Sequence, residues 1–242
     1  MTVYTSRFPD APPRIARLRV SAQGFPVPWF VYDAGPDHEP DLRVADQEKF
    51  ARAKRSKLCW VCGQPLGRHQ VFVIGPMCAV NRVTSEPPNH RECAEFAAKH
   101  CPFLSRPEFT RSPRVKRAAG LEDKLVNAAG MAIPRNPGVA CLWETETWKL
   151  FKPHAGNPGY LIQLGNPTRV DWWREGRAAT RSEVEASIGT GLPLLMEIAL
   201  MDPGGVEELE RQTAIVTRYL PKEEDHGKPD QQHHHPAPAS SD

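Results

Sequence analysis

The tightest constraint on this chain is a pair of short motifs, Cys59-Trp60-Val61-Cys62-Gly63 and Asn89-His90-Arg91-Glu92-Cys93. Two cysteines separated by two residues can turn both sulfurs toward one point, and a glycine after the second relieves the strain of that turn. Asn89 and Glu92 read as the N-cap and N3 partner of a helix. His90 and Cys93 then stand three apart in its first turn, on one face. Three thiols and one imidazole make a closed tetrahedral donor set of the kind that holds structural zinc. Cys59, Cys62, His90 and Cys93 are therefore the predicted metal ligands, and zinc the predicted cofactor. Four protein ligands leave no position for a reactive water, which argues against a catalytic metal. Cys78, just after Gly75-Pro76, stands as an alternative to His90. Cys101, at the far end of the same helix, and Cys141, in a predicted strand, read as packing residues.

Between the two motifs, residues 70–74 read as a strand, Gly75-Pro76 as a turn and 77–83 as a returning strand. A knuckle, a hairpin and ligands on the first turn of a helix resembles the treble-clef zinc finger, over about residues 57–101. The expected fold class is α+β: a treble-clef-like finger packed with short antiparallel strands, then a C-terminal antiparallel sheet with helices.

Outside the finger the pattern is less regular, as 25 prolines in 242 residues would suggest. Residues 1–14 read as a flexible N-terminus. Residues 15–56 read as strands at 17–20, 27–32 and 42–44, followed by a helix over 47–56 that Asp46 caps and that turns Phe50 and Ala53 inward. The finger module occupies 57–104. A basic linker covers 105–137, with a few helical residues around 121–129. In 138–220, strands are expected at 139–144, 147–151, 160–164 and 169–174. A helix opened by the capping box Thr180-Arg181-Ser182-Glu183 should stop near Gly189 and Gly191. A second helix would start at Pro193 and a third after Asp202-Pro203, the last with Val206, Leu209, Val216 and Leu220 on its apolar face. The tail 221–242, with His233-His234-His235, is too polar to bury itself and is expected to be disordered.

The net charge of +2 conceals a strong asymmetry. Residues 48–118 carry 14 basic and 5 acidic side chains, whereas 119–242 carry 12 basic and 18 acidic. The basic block coincides with the cysteine-rich block. Arg52, Lys54, Arg55, Lys57, Arg68 and Arg82 are thus candidate contacts for DNA or RNA phosphates, with a further basic cluster in the linker. The competing partner is another protein, docked on the acidic half or on an exposed tryptophan. Strand alternation places Trp172 and Trp173 on opposite faces, one in the core and one available to a partner. No apolar run reaches about 18 residues and no secretory leader is evident, so no membrane contact is expected and the cytoplasm is the default compartment, where thiols stay reduced.

Catalytic alternatives fare poorly. His90-Arg91-Glu92 matches the HxE of zinc deaminases only superficially, since the cysteine pair precedes it and Cys93 fills the vacant position. HExxH, a phosphate-binding glycine loop and GxSxG are absent. An HNH-type nuclease would need a histidine at the end of the first hairpin strand. The one histidine between the motifs, His69, precedes that strand, with Asn81 the remaining candidate and His100 at the wrong end of the helix. His154 reads as a surface histidine. More widely, LCWVCGQPLG, FVIGPMCAVNR and EPPNHRECAEFAAKHCPFL, with PGVACLW and VDWWREGRAATRSEVEASI, resemble a family of uncharacterised bacterial and phage-type proteins over most of residues 25–220. The resemblance implies that the two halves belong together, and implies no reaction.

Overall fold

The computed structural model describes residues 5–35, 37–106, 136–153 and 159–223. The linker helix expected at 121–129, His154 and the tail after 223 lie outside the described residues. The fold is mixed α and β, with two antiparallel sheets.

A four-stranded sheet forms the centre. Its strands are β1 (Gln70–Ile74), β3 (Ala140–Thr145), β6 (Pro167–Arg174) and β7 (Arg177–Ala178), in the order β1-β3-β6-β7. A three-stranded sheet has the order β2-β5-β4, from β2 (Val83–Thr84), β4 (Trp148–Phe151) and β5 (Leu161–Leu164). Each sheet thus combines a strand from the cysteine-rich region with strands more than sixty residues later.

Alternation divides the central sheet into two buried faces. Phe72, Ile74, Cys141, Trp143 and Trp172 point to one side. There they pack with α3 (Pro76–Asn81), α6 (Arg181–Ala199) and α7 (Gly205–Thr217). Val71, Val73, Leu142 and Trp173 point to the other, onto Ala94 and Ala98 of α4 (Arg91–His100). Trp172 is buried and Trp173 half-buried, on opposite faces as the alternation requires. Short helices α1 (Pro13–Ala16) and α5 (Pro102–Ser105) flank the finger.

The helix α2 (Gln47–Ser56) starts where expected. The Asp46 carboxylate accepts the backbone N–H of Lys49 at 2.9 Å, and Phe50 and Ala53 are buried. Phe50 and Phe30 close on the indole of Trp60, at centroid distances of 5.3 and 4.7 Å.

Several local expectations are overturned. Residues 77–83 do not return as a strand. Pro76 sits at the start of α3, where its missing N–H costs nothing, and Met77 and Val80 share a helical face into the core. The partner of β1 is therefore the distant β3, and the finger has no local hairpin. In place of the strands expected at 17–20, 27–32 and 42–44 there are two isolated bridges, Val20 to Pro26 and Val31 to Ala45, and residues 42 and 43 form a turn. Pro26 and Pro28 withdraw donors from any ladder there. Helix α6 does not stop at Gly189 or Gly191. Gly191 lies against α3, where an added Cβ would come within 2.6 Å of the Met77 sulfur, so its smallness serves helix packing. Pro193 lies inside the same helix, whose packing on α3 and α7 outweighs the lost hydrogen bond. The turn into α7 uses Gly204 in the left-handed region (φ 74°), and Leu209 and Val216 face the core.

The capping box on α6 is complete. Thr180 Oγ1 accepts the Glu183 N–H at 3.3 Å, and Glu183 accepts the Thr180 N–H at 2.8 Å. Thr180→Ala is expected to lower stability by about 1 kcal/mol in urea denaturation. Hydrogen bonds from Arg177 hold the Glu183 carboxyl at about 2, below its usual 4.5. The stability this pair adds is present above the usual carboxylate range and is lost as pH falls toward 2. Because the pair is exposed, the loss is expected to be only about 0.5 kcal/mol, and absent in Glu183→Gln.

Candidate metal centre

The first pair of thiols hangs on a tight knuckle. Leu58 and Pro65 bridge its stem, Cys59 N–H donates to the Gln64 carbonyl at 2.8 Å, and Gly63 N–H donates to the Cys59 carbonyl at 2.8 Å. Gly63 takes φ 72°, and a side chain there would collide with the ring of Trp29 at 2.5 Å, so both backbone and packing demand glycine. The Cys62 N–H points at Cys59 Sγ, 3.5 Å away, which favours negative charge on that sulfur.

The second pair comes from the start of α4. His90 is the N-cap itself and Cys93 lies in the first turn, so both project toward the knuckle. The N-cap expected at Asn89 is corrected: α4 has no side-chain cap. Asn89 is instead buried and tied to two neighbours. Its amide oxygen accepts the Val61 N–H at 3.1 Å, and its Nδ2 donates to the Val71 carbonyl at 3.4 Å. It cross-links the knuckle to β1, a role that local capping logic could not reveal.

The four predicted ligands converge. One ligand atom each from Cys59, Cys62, His90 and Cys93 lies within 4.8 Å of all the others. Among the described residues this is the one group of three or more potential ligands that the structure assembles. Cys59 and Cys93 are fully buried and Cys62 nearly so. His90 turns Nδ1 toward Cys62 Sγ at 3.4 Å, and its Nε2 lies 3.0 Å from the Pro65 carbonyl. With Nε2–H donating to that carbonyl, Nδ1 keeps a free lone pair for a metal. The residues present therefore fit a soft divalent cation, and the donor set is the one zinc prefers. Cys78 packs at the edge of the main core and Cys141 is buried within it, and neither belongs to the group.

The three thiols are coupled by hydrogen bonds to one another. Hydrogen bonds from the neighbouring thiols of Cys59 and Cys93 pull the Cys62 pKa down. The hydrogen bond to Cys62 pushes Cys59 up, and those to Cys59 and Cys62 push Cys93 up. A divalent cation held between them would favour the thiolate form of all three.

The basic candidates divide sharply. Arg52, Arg55 and Lys57 are exposed on or beside α2. Arg68 is exposed and pairs with Glu146 at 2.8 Å. Lys54 is buried, with Nζ donating to the Tyr160 carbonyl at 2.9 Å and lying 3.9 Å from the Phe50 ring centre, and burial lowers its pKa to about 8. Arg82 donates to the Leu164 carbonyl and to Asn166 Oδ1 at 3.2 and 3.0 Å. Lys54 and Arg82 are thus committed to joining α2 and α3 to the small sheet. Of the nuclease candidates, His69 sits between Glu144 and Glu146, 3.2 and 3.6 Å away, and Asn81 accepts the Val83 N–H at 2.9 Å. His100 packs against Phe8 and Phe96.

One residue escaped attention in the sequence. Arg91, between two ligands, reaches from α4 to the central sheet, where it pairs with Glu144 and with Asp171 at 2.6 Å. Its position inside the motif was the only signal.

No protein-family model, curated protein or solved structure matches the chain. The resemblance to a bacterial and phage-type family therefore has no matching family model behind it.

Purified protein is expected to carry one metal ion per chain, read by elemental analysis. Cys59→Ser and Cys93→Ser should abolish it, while Cys78→Ser and Cys101→Ser retain it. Because Cys59 and Cys93 must lose protons on loading, apparent metal affinity should tighten as pH rises from about 6 to about 8 in competition with a chromogenic chelator.

Proposed function

We propose that the chain is a zinc-stabilised binding protein whose basic surface contacts nucleic acid. The observation that carries the first half is the closed donor set, with three thiols and an imidazole turned on one point. Such a site stabilises structure and has no open position for catalysis. The knuckle and the ligand helix are the treble-clef parts, and we read the finger as a variant in which α3 replaces the local hairpin.

The second half is supported by what remains exposed. Arg52, Arg55 and Lys57 lie on one short stretch beside the knuckle, and none is buried in the fold. Three to four such cations give phosphate affinity that falls steeply with salt. The test is fluorescence anisotropy with labelled DNA and RNA at low and at physiological salt. Binding is expected to weaken with a log–log salt slope of about −2 to −4. The combined R52E, R55E and K57E variant should lose about tenfold or more while keeping its metal. No binding to any nucleic acid at low salt would remove this half.

A protein-docking role is the second reading, favoured by one feature. The end of α6 exposes Leu194, Leu200 and Met201, the last two at 70% and 74%. Apolar surface of that kind marks contact sites. The nuclease reading is weaker, because His69 and Asn81 already serve Glu144, Glu146 and Val83.

A further inference from the structure

Helices α6 and α7 run antiparallel, so that Arg181 at the start of one donates to the Pro221 carbonyl just beyond the end of the other. A groove of about 370 Å³ lies between them. Leu192 and Met196 line it from α6, and Leu209, Thr213 and Thr217 from α7. Both threonine hydroxyls turn back onto their own helix, donating to the Leu209 and Thr213 carbonyls at 2.8 and 2.9 Å, so neither brings an unpaired donor to the groove. Leu200, 70% exposed, extends the stripe that Leu192 and Met196 begin at four-residue spacing. Leu194 falls on the other flank of α6.

The charges around this groove have one sign. From Ser182 to Glu210 the sequence holds seven Asp or Glu and no Lys, Arg or His. Three of the seven are paired: Glu183 with Arg177, Glu185 with Arg181 and Glu208 with Arg211. Glu197, Asp202, Glu207 and Glu210 have no ion-pair partner among the described residues. Glu210 lines the groove, Glu207 stands one turn before it on α7, and Glu197 stands one turn before Leu200 on α6. The first turn of α7 favours Glu207, because a helix N-terminus is partly positive. The last turn of α6 disfavours Glu197, and Asp202 follows at the same negative end with no basic residue in that turn. Helix stability alone therefore does not account for the carboxylates here.

We propose that the α6–α7 groove docks an amphipathic helix of a partner protein, with apolar side chains on Leu192, Met196 and Leu200 and with Lys or Arg along its flanks meeting Glu197, Glu207 and Glu210. It rests on the protein-docking reading above and deepens it by stating the partner's chemistry. From Leu192 to Leu200 the groove runs about 12 Å, a little over two helical turns, which suits a third helix laid along two others. The same carboxylates repel phosphates, which sets this face against nucleic acid and anionic lipid. A second copy of the chain would bring like charge against like across the interface.

The test uses the full-length, metal-loaded chain and three labelled synthetic helices of about 18 residues with one leucine stripe, flanked by Lys, by Gln or by Glu. The Lys helix is expected to bind about tenfold or more tighter than the Glu helix, and the difference should shrink as salt rises. Leu200→Lys and Ala214→Trp, both at exposed positions, should each weaken the Lys helix about tenfold, whereas Leu194→Lys leaves it unchanged. A benzophenone side chain at position 214 should crosslink to the Lys helix. Equal or tighter binding of the Gln or Glu helix overturns the basic partner and leaves the docking reading standing. Binding of the Lys helix that ignores Leu200→Lys and Ala214→Trp overturns the groove. Crosslinks that run to a second copy, or to residues 107–135 of the same chain, in the presence of excess Lys helix overturn a partner from another protein. Absence of binding by all three helices overturns this proposal and the docking reading together.

Discussion

Convergence of three sulfurs and one ring nitrogen is the interaction on which the rest of the chain depends. It joins the knuckle at residues 58–65 to the first turn of α4, and α4 covers one face of the central sheet. A divalent cation held there would supply countercharge to the three thiolates, and structural zinc of this type contributes on the order of 10 kcal/mol to folding in small fingers. Around the cage the polar groups are arranged to support it. Pro65 orients the imidazole, Asn89 holds the knuckle to β1, and Arg91 ties the ligand helix to Glu144 and Asp171 across the sheet.

This arrangement makes the finger inseparable from the strands that follow it in sequence. β1 finds its neighbour in β3, and β2 finds its neighbour in β5. A hairpin closed within the finger would have left the sheet faces on Phe72 and Val71 without cover. Pairing across the chain instead buries both faces, one under α4 and the other under α3, α6 and α7.

Much of this was legible in the amino-acid sequence because its causes are local. Ligand spacing, the Asp46 cap, the Thr180–Glu183 box and the alternation through Trp172 and Trp173 each depend on residues within a turn or two of one another. What was not legible depends on contacts between distant segments. Residues 76–81 have enough apolar character for strand or helix, and only the core they meet decides. Gly191 looks like a helix stop until Met77 is seen against it. Lys54 and Arg82 count as surface charges in a sequence, yet Tyr160 and Leu164, about a hundred residues away, draw them inward. Asn89 misled for the same reason: a good cap residue was taken up by Val61 and Val71.

Among the described residues, Arg52, Arg55 and Lys57 stand exposed on or beside α2, and Leu194, Leu200 and Met201 at the end of α6. Whatever binds there, the metal cage must first exist in the stated form. X-ray absorption at the zinc edge on the purified chain reads it directly. Three sulfur neighbours at about 2.3 Å and one nitrogen at about 2.0 Å are expected. A shell with four sulfurs would replace His90 with another cysteine, and an oxygen neighbour would open the site to water; either would contradict the closed cage of Cys59, Cys62, His90 and Cys93.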